Sequence, residues 1–249
     1  MLEKIVKFVF TLVVIAFIGV YILYMYCPTD VPAPDDEKNV RTTRDTVSET
    51  EAEDYGSAHA LVTSKGYAIE MKNGITYVDG IMIANKTYSL PPDYDPGIHK
   101  EAADALEQMQ SAAKAEGLDL FVISGYRSYQ RQEEVYAGWV SLDGVEQADT
   151  YSARPGHSDH QTGYTFDLNS CDDSFTYTPE AKWLAGHCAE YGFIIRYPKG
   201  KEAYTGYVYE PWHVRWVGKE KAKILTESGL SLEEYYGIPS DYGISGIFV

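Results

Sequence analysis

Two stretches of this chain hold side chains that could do chemistry together: Ser158-Asp159-His160-Gln161-Thr162-Gly163-Tyr164-Thr165-Phe166-Asp167 and, further on, Glu210-Pro211-Trp212-His213. Two imidazoles and one carboxylate can hold a zinc ion with its fourth position open to water, and a spare glutamate can take that water's proton. Zinc bound in this way keeps a net positive charge and lowers the pKa of its water to roughly 7, so hydroxide is available at neutral pH. The residue types therefore point to metal-assisted hydrolysis, with Glu210 as the general base that takes the proton and returns it to the leaving group. Taken singly, each residue has a plainer explanation: a lone histidine is usually a hydrogen-bonded structural residue, and an Asp before Leu-Asn often opens a turn. The joint spacing carries the argument.

The elements that must position these groups can be read from periodicity. Tyr164-Thr165-Phe166-Asp167-Leu168 suits a short strand with Tyr164, Phe166 and Leu168 on one face and Thr165 and Asp167 on the other. Gly163 permits a sharp bend, so that His160 in the preceding loop folds back toward Asp167. Glu210 and His213 are three apart, and Pro211 argues against a helix interior, which leaves a strand end or bulge. Arg127 follows the apolar strand Leu120-Phe121-Val122-Ile123 in a Gly-Tyr-Arg-Ser turn, where it is placed either to help stabilise an oxyanion or to face solvent. Helices are expected from Ile98 to Glu116, from Tyr129 to Val140 and from Thr178-Pro179 onward, with a capping box at Ser231-Leu232-Glu233-Glu234. Further strands are expected at Gly74 to Val78 and near Tyr207 to Val217. These elements describe an α+β domain with a small antiparallel sheet that carries the metal site and helices packed on it.

The pattern Ser-x-His-x-x-Gly-x-x-x-Asp followed by Glu-Pro-Trp-His resembles the VanY-type zinc D-alanyl-D-alanine carboxypeptidases, the family that also holds the LdcB-type L,D-carboxypeptidases. Further matches are Asn85-Lys86, Leu90-Pro91-Pro92-Asp93-Tyr94, Ser124-Gly125-Tyr126-Arg127-Ser128, Ala153-Arg154-Pro155-Gly156-His157-Ser158 and Arg196-Tyr197-Pro198, so the resemblance runs from about Tyr77 to Tyr236. It implies one zinc at His160, Asp167 and His213, with Glu210 as base and Arg127 beside the zinc, in contact with substrate or intermediate. It also implies substrate contacts from Gln132 and Ser158, with Tyr126 and Trp212 counted beside them. Helical spacing around Gln132 equally suits a solvent-facing glutamine, and Trp212 either walls the pocket or anchors the core. Thr165 stands where the family usually has a small alanine, and it either narrows the site or adds a hydrogen bond. The implied substrate is a peptidoglycan stem peptide that loses its last D-alanine. L,D-cleavage of a tetrapeptide stem, or a non-catalytic wall-binding module on the same scaffold, stand as alternatives.

The ends of the chain differ from its middle. From Phe8 to Tyr26 no residue is charged, a stretch that as a helix spans roughly 28 Å, close to a bilayer core. Lys4 and Lys7 precede it, so the positive-inside rule places the catalytic domain outside the cell. Bulky Tyr24, Met25 and Tyr26 argue against signal cleavage or lipidation at Cys27 and favour an uncleaved anchor. From Cys27 to Gly56, Pro, Thr, Ser and acidic residues predominate, as expected of a flexible stalk. The expected division is an anchor over 1–26, a stalk and linker over 27–73 and the enzyme domain over 74–249. The net charge of −16 argues against nucleic acid as a partner. Cys171 and Cys188 form a disulfide or remain two thiols, and Lys199-Gly200-Lys201 either meets an anionic peptide or is a solvated turn.

Overall fold

Asn-Gly and Asp-Gly are the strongest short hairpin signals, because both central residues of a type I′ turn need positive φ. Such turns stand at Asn73-Gly74 (φ 52° and 76°) and Asp79-Gly80 (φ 50° and 75°) in the computed structural model, which describes residues 61–244. They join β1 (Ile69–Lys72), β2 (Ile75–Val78) and β3 (Ile81–Met82) into an antiparallel three-stranded sheet. The boundary expected at residue 74 is therefore too late, since β1 pairs along its whole length with β2. A second sheet holds β4 (Val122–Ser124), β5 (Thr165–Leu168), β6 (Phe193–Ile195) and β7 (His213–Trp216) in the order β4-β5-β7-β6, all antiparallel. The α+β class stands, with two small sheets where the sequence suggested one.

Helix α1 (Lys100–Ala115) packs Ala102, Leu106, Met109 and Ala113 against Phe166 and Leu168 of β5 and Val214 of β7. These sheet residues are the alternate positions of their strands, so their neighbours Asp167 and His213 are turned to the opposite face. Helix α2 (Tyr129–Asp143) starts at Ser128, whose side chain accepts from Arg131 N, and is followed by the short α3 (Val145–Ala148). Helix α4 (Pro179–His187) begins as expected, with Thr178 accepting from Ala181 N and proline in the first turn. After α5 (Glu202–Thr205) and α6 (Lys219–Ser228), α7 (Leu232–Tyr236) carries the complete capping box of Ser231 and Glu234. Leu225 of α6 and Leu232 and Tyr236 of α7 join Val78 and Ile81 of the small sheet to Ile194 of β6 in a second apolar cluster.

Gly163 ends the 3₁₀ turn Asp159–Thr162 in the left-handed region, and a Cβ there would lie 2.2 Å from the Gly97 carbonyl oxygen. Gly163→Ala is expected to cost at least about 2 kcal/mol, through backbone strain and this clash together, read as a shift of the denaturant midpoint at unchanged slope.

Cys171 and Cys188 do not form a disulfide. Lys201 pairs with Glu234 at 3.0 Å, while Lys199 beside it is exposed. Among the described residues no helix is long and apolar enough to cross a membrane, and the run Phe8 to Tyr26 and the acidic stretch Cys27 to Gly56 lie outside them.

Candidate active site

Antiparallel register places Asp167 of β5 directly opposite His213 of β7, and Thr165 opposite Arg215 on the same face. His160 arrives from the 3₁₀ turn before β5, folded back by Gly163 as the sequence suggested. The Asp167 carboxylate lies 3.0 Å from His160 Nε2 through one oxygen and 3.0 Å from His213 Nδ1 through the other. Ligand atoms of all three residues fall within 4.8 Å of one another, and all three are buried. The remaining ring nitrogens are used behind the site: His160 Nδ1 meets the Gly125 carbonyl at 2.7 Å and His213 Nε2 meets Asp159 Oδ2 at 3.5 Å. Outward hydrogen bonds of this kind leave the inward nitrogens as lone-pair donors. Asp167 Oδ1 is buried and, apart from the His213 ring 3.0 Å away, meets no donor, so an electron-rich atom is left facing the point where the imidazoles converge. The donor set and its second hydrogen-bonding layer fit a divalent metal ion.

Electrostatics agree with that fit. Burial pushes the His160 imidazole toward its neutral form, which is the form that ligates. Burial alone would raise the Asp167 carboxyl, but His160 and His213 outweigh it and hold Asp167 ionised. Burial disfavours the charged form of His213, yet Asp167, Asp159 and Glu210 around it favour positive charge more strongly. Surroundings that retain a proton there also favour a metal cation.

Glu210 sits in the turn leading into β7, with its N–H donated to the Tyr197 carbonyl at 3.1 Å and its Oε2 3.3 Å from His213 Nδ1. Burial raises its carboxyl above the usual range, which suits a group that must gain and lose a proton. The Glu210-Pro211-Trp212 turn thus delivers base and ligand together at the strand end, as the proline implied.

Arg127 lies across the site, donating to Gln132 Oε1 at 2.9 Å and to Ser124 Oγ at 3.0 Å, while its buried Nε has no protein partner. Gln132 is 1% exposed, so the solvent-facing alternative fails. Its Nε2 donates to the Ala153 carbonyl at 2.6 Å and its Oε1 steadies Arg127, although it also borders the cavity. Ser158 lines the same cavity, of about 390 Å³, and Trp212 serves both expectations by walling it and joining the core. Tyr126 is not brought in: it lies off the cavity wall and its hydroxyl donates to Asp95 at 2.6 Å. Thr165 adds a hydrogen bond and does not narrow the site, donating to Asp159 Oδ2 at 2.7 Å. Asp159, Arg196 and Arg215 are all buried, and none is assigned a role from sequence, where Asp159 and Arg196 enter only as parts of motifs. Arg215 had a usable signal, since it follows His213 by two residues and must share its face.

The VanY family profile, described as D-alanyl-D-alanine carboxypeptidase, matches residues 95–219. The chain is 38% identical over 239 residues to YodJ of Bacillus subtilis (strain 168), covering 81% of this chain and 87% of that one. It superimposes on the L,D-carboxypeptidase DacB of Streptococcus pneumoniae with TM-score 0.64 and 44% identity, covering 71% of this chain and 99% of that chain. A vancomycin-resistance D,D-pentapeptidase VanY from a VanB-type cassette, solved with Zn(II), gives TM-score 0.55 and 34% identity over 61% of this chain and 96% of that chain. Sequence and structure thus agree with the geometry of the site, and the chain belongs to the VanY family of D-alanyl-D-alanine carboxypeptidases.

Proposed function

We propose that this protein is a zinc carboxypeptidase that removes the terminal D-alanine from peptidoglycan stem peptides. The observation that carries the reading is the pairing of Asp167 and His213 across β5 and β7, with His160 beside them and the Glu210 carboxylate 3.3 Å from His213 Nδ1. Two imidazoles and a carboxylate suit zinc, and the VanY relative solved with Zn(II) supports that choice. Held by His160, Asp167 and His213, the ion would supply Lewis acidity and a water of lowered pKa. Glu210 takes a proton from the attacking water and delivers it to the leaving amine. Arg127, held in place by Gln132 and Ser124, offers its unpaired Nε and its charge to the developing oxyanion or the substrate carboxylate. Ser158 and Trp212, on the cavity wall, flank the bound peptide.

Two stem lengths compete. The sequence pattern suggests D,D-cleavage of a pentapeptide. The greater identity to DacB, 44% against 34% for VanY, favours L,D-cleavage of a tetrapeptide. Incubating the purified protein with synthetic tetra- and pentapeptide stems and weighing the products discriminates them. The expected product of the preferred stem is shorter by one alanine, and stems of both lengths left intact would refute the activity.

The uncharged run Phe8 to Tyr26 after Lys4 and Lys7 supports a membrane-anchored arrangement with the catalytic domain outside. External protease added to intact cells is expected to release that domain by cutting between residues 27 and 56. Complete protection of the domain would contradict the orientation.

A further inference from the structure

The metal-facing side of His213 is set by what lies behind it. Its Nδ1 faces Asp167 and Glu210, and its Nε2 points to Asp159 Oδ2 at 3.5 Å. Asp159 is 2% exposed, and its two oxygens are divided between different partners. Oδ2 accepts the Thr165 hydroxyl at 2.7 Å, and Oδ1 accepts from Arg215 Nη1, with Arg196 Nε 3.7 Å away. Arg215 is itself pinned, donating Nη2 to the Met82 carbonyl at 2.8 Å. Arg196 is fixed by Glu233 through Nη1 and Nη2, at 2.9 and 2.6 Å. Thr165 and Arg215 are register partners on β5 and β7, so the strand pairing that opposes Asp167 to His213 also sets both groups that grip Asp159. Two carboxylates and two guanidinium groups balance one another in the interior, an arrangement costly to bury unless each partner is in place.

We propose that Asp159 is a positioning residue for His213: its Oδ2 accepts the Nε2 proton, fixes the tautomer that leaves Nδ1 as the metal-facing lone pair, and is itself held by Thr165 and Arg215. A metal-bound histidine commonly has such an outward partner, and here the partner precedes another ligand, His160, in the chain. Because Oδ1 is occupied by Arg215, Oδ2 remains the oxygen available to the imidazole. This inference rests on the metal reading above and adds the residue that sets its geometry.

Asp159→Asn tests it directly. Arg215 requires an oxygen, so the new amide would turn its NH₂ toward His213 Nε2, favouring the tautomer with the proton on Nδ1, where the metal must bind. The Zn(II) dissociation constant of the folded full chain, read by competition with a chromophoric chelator, is expected to weaken roughly 10- to 100-fold. The absorption spectrum of the Co(II)-substituted protein should change with it. Thr165→Val, which keeps the shape and removes only the donor, is expected to weaken binding in the same direction by a smaller factor. This milder variant keeps the test decisive if the asparagine variant does not fold. Glu233→Gln breaks the far end of the network and is expected to lower the melting temperature without altering the Zn(II) constant. Unchanged Zn(II) affinity in folded Asp159→Asn, or in Thr165→Val where the asparagine variant does not fold, would overturn the positioning role. A parent protein that takes up no Zn(II) would instead overturn the metal reading, and this inference with it.

Discussion

Replacing Glu210 with alanine is expected to lower kcat on a stem peptide by roughly two to four orders of magnitude, the usual worth of a positioned general base. The fold and the metal should survive, because Glu210 lies outside the triad and its backbone, which bonds Tyr197 and His213, is untouched by the substitution. Metal content and circular dichroism separate the outcomes. A variant that keeps both metal and parental turnover shows that another group moves the proton, and one that loses the metal shows that Glu210 is a ligand. Burial of this carboxylate in the parent is tolerated because His213 lies beside it, so its removal also relieves a desolvation cost.

The second large effect concerns the triad. His160→Ala with His213→Ala removes two of three ligands, leaves Asp167 with neither imidazole, and should abolish both metal retention and hydrolysis. The fold should weaken less than the activity, since the core beneath is made by Phe166, Leu168 and Val214 with helix α1. Metal analysis of the purified double variant checks this, and full retention of the ion would place the site elsewhere.

How much of this arrangement was legible in the sequence depends on the range of the interaction concerned. Strand β5 was legible because alternation of Thr165, Phe166, Asp167 and Leu168 is local, and the cap of α7 because Ser231 and Glu234 are three residues apart. The ligands emerged together because His160 and Asp167 share one bend and one strand, while Glu210 and His213 share one turn. Strand β1 was missed although Asn73-Gly74 announces a hairpin; the boundary was drawn at the turn itself, with its first strand left outside. Gln132 shows the opposite limit. Its helix spacing is compatible with solvent, whereas in the fold it is buried, with its amide bonded to Arg127 and to the distant Ala153 carbonyl. The same holds for Asp159, whose partners Thr165, Arg196 and Arg215 come from separate elements and meet only once the sheet has formed. Tyr126 stands in the same matching stretch as Arg127, but its hydroxyl donates to Asp95, a partner 31 residues earlier that the local pattern does not reveal.

The central claim, that a metal held by His160, Asp167 and His213 makes this fold a D-alanine-releasing carboxypeptidase, is tested most directly by titrating the metal-stripped protein with Zn(II) while following D-alanine release from a stem peptide. The account predicts almost no release before addition, a rise in proportion to added ion, and a plateau at about one zinc per chain. Release of D-alanine at the full rate from metal-stripped protein, or none at any zinc content, would contradict it.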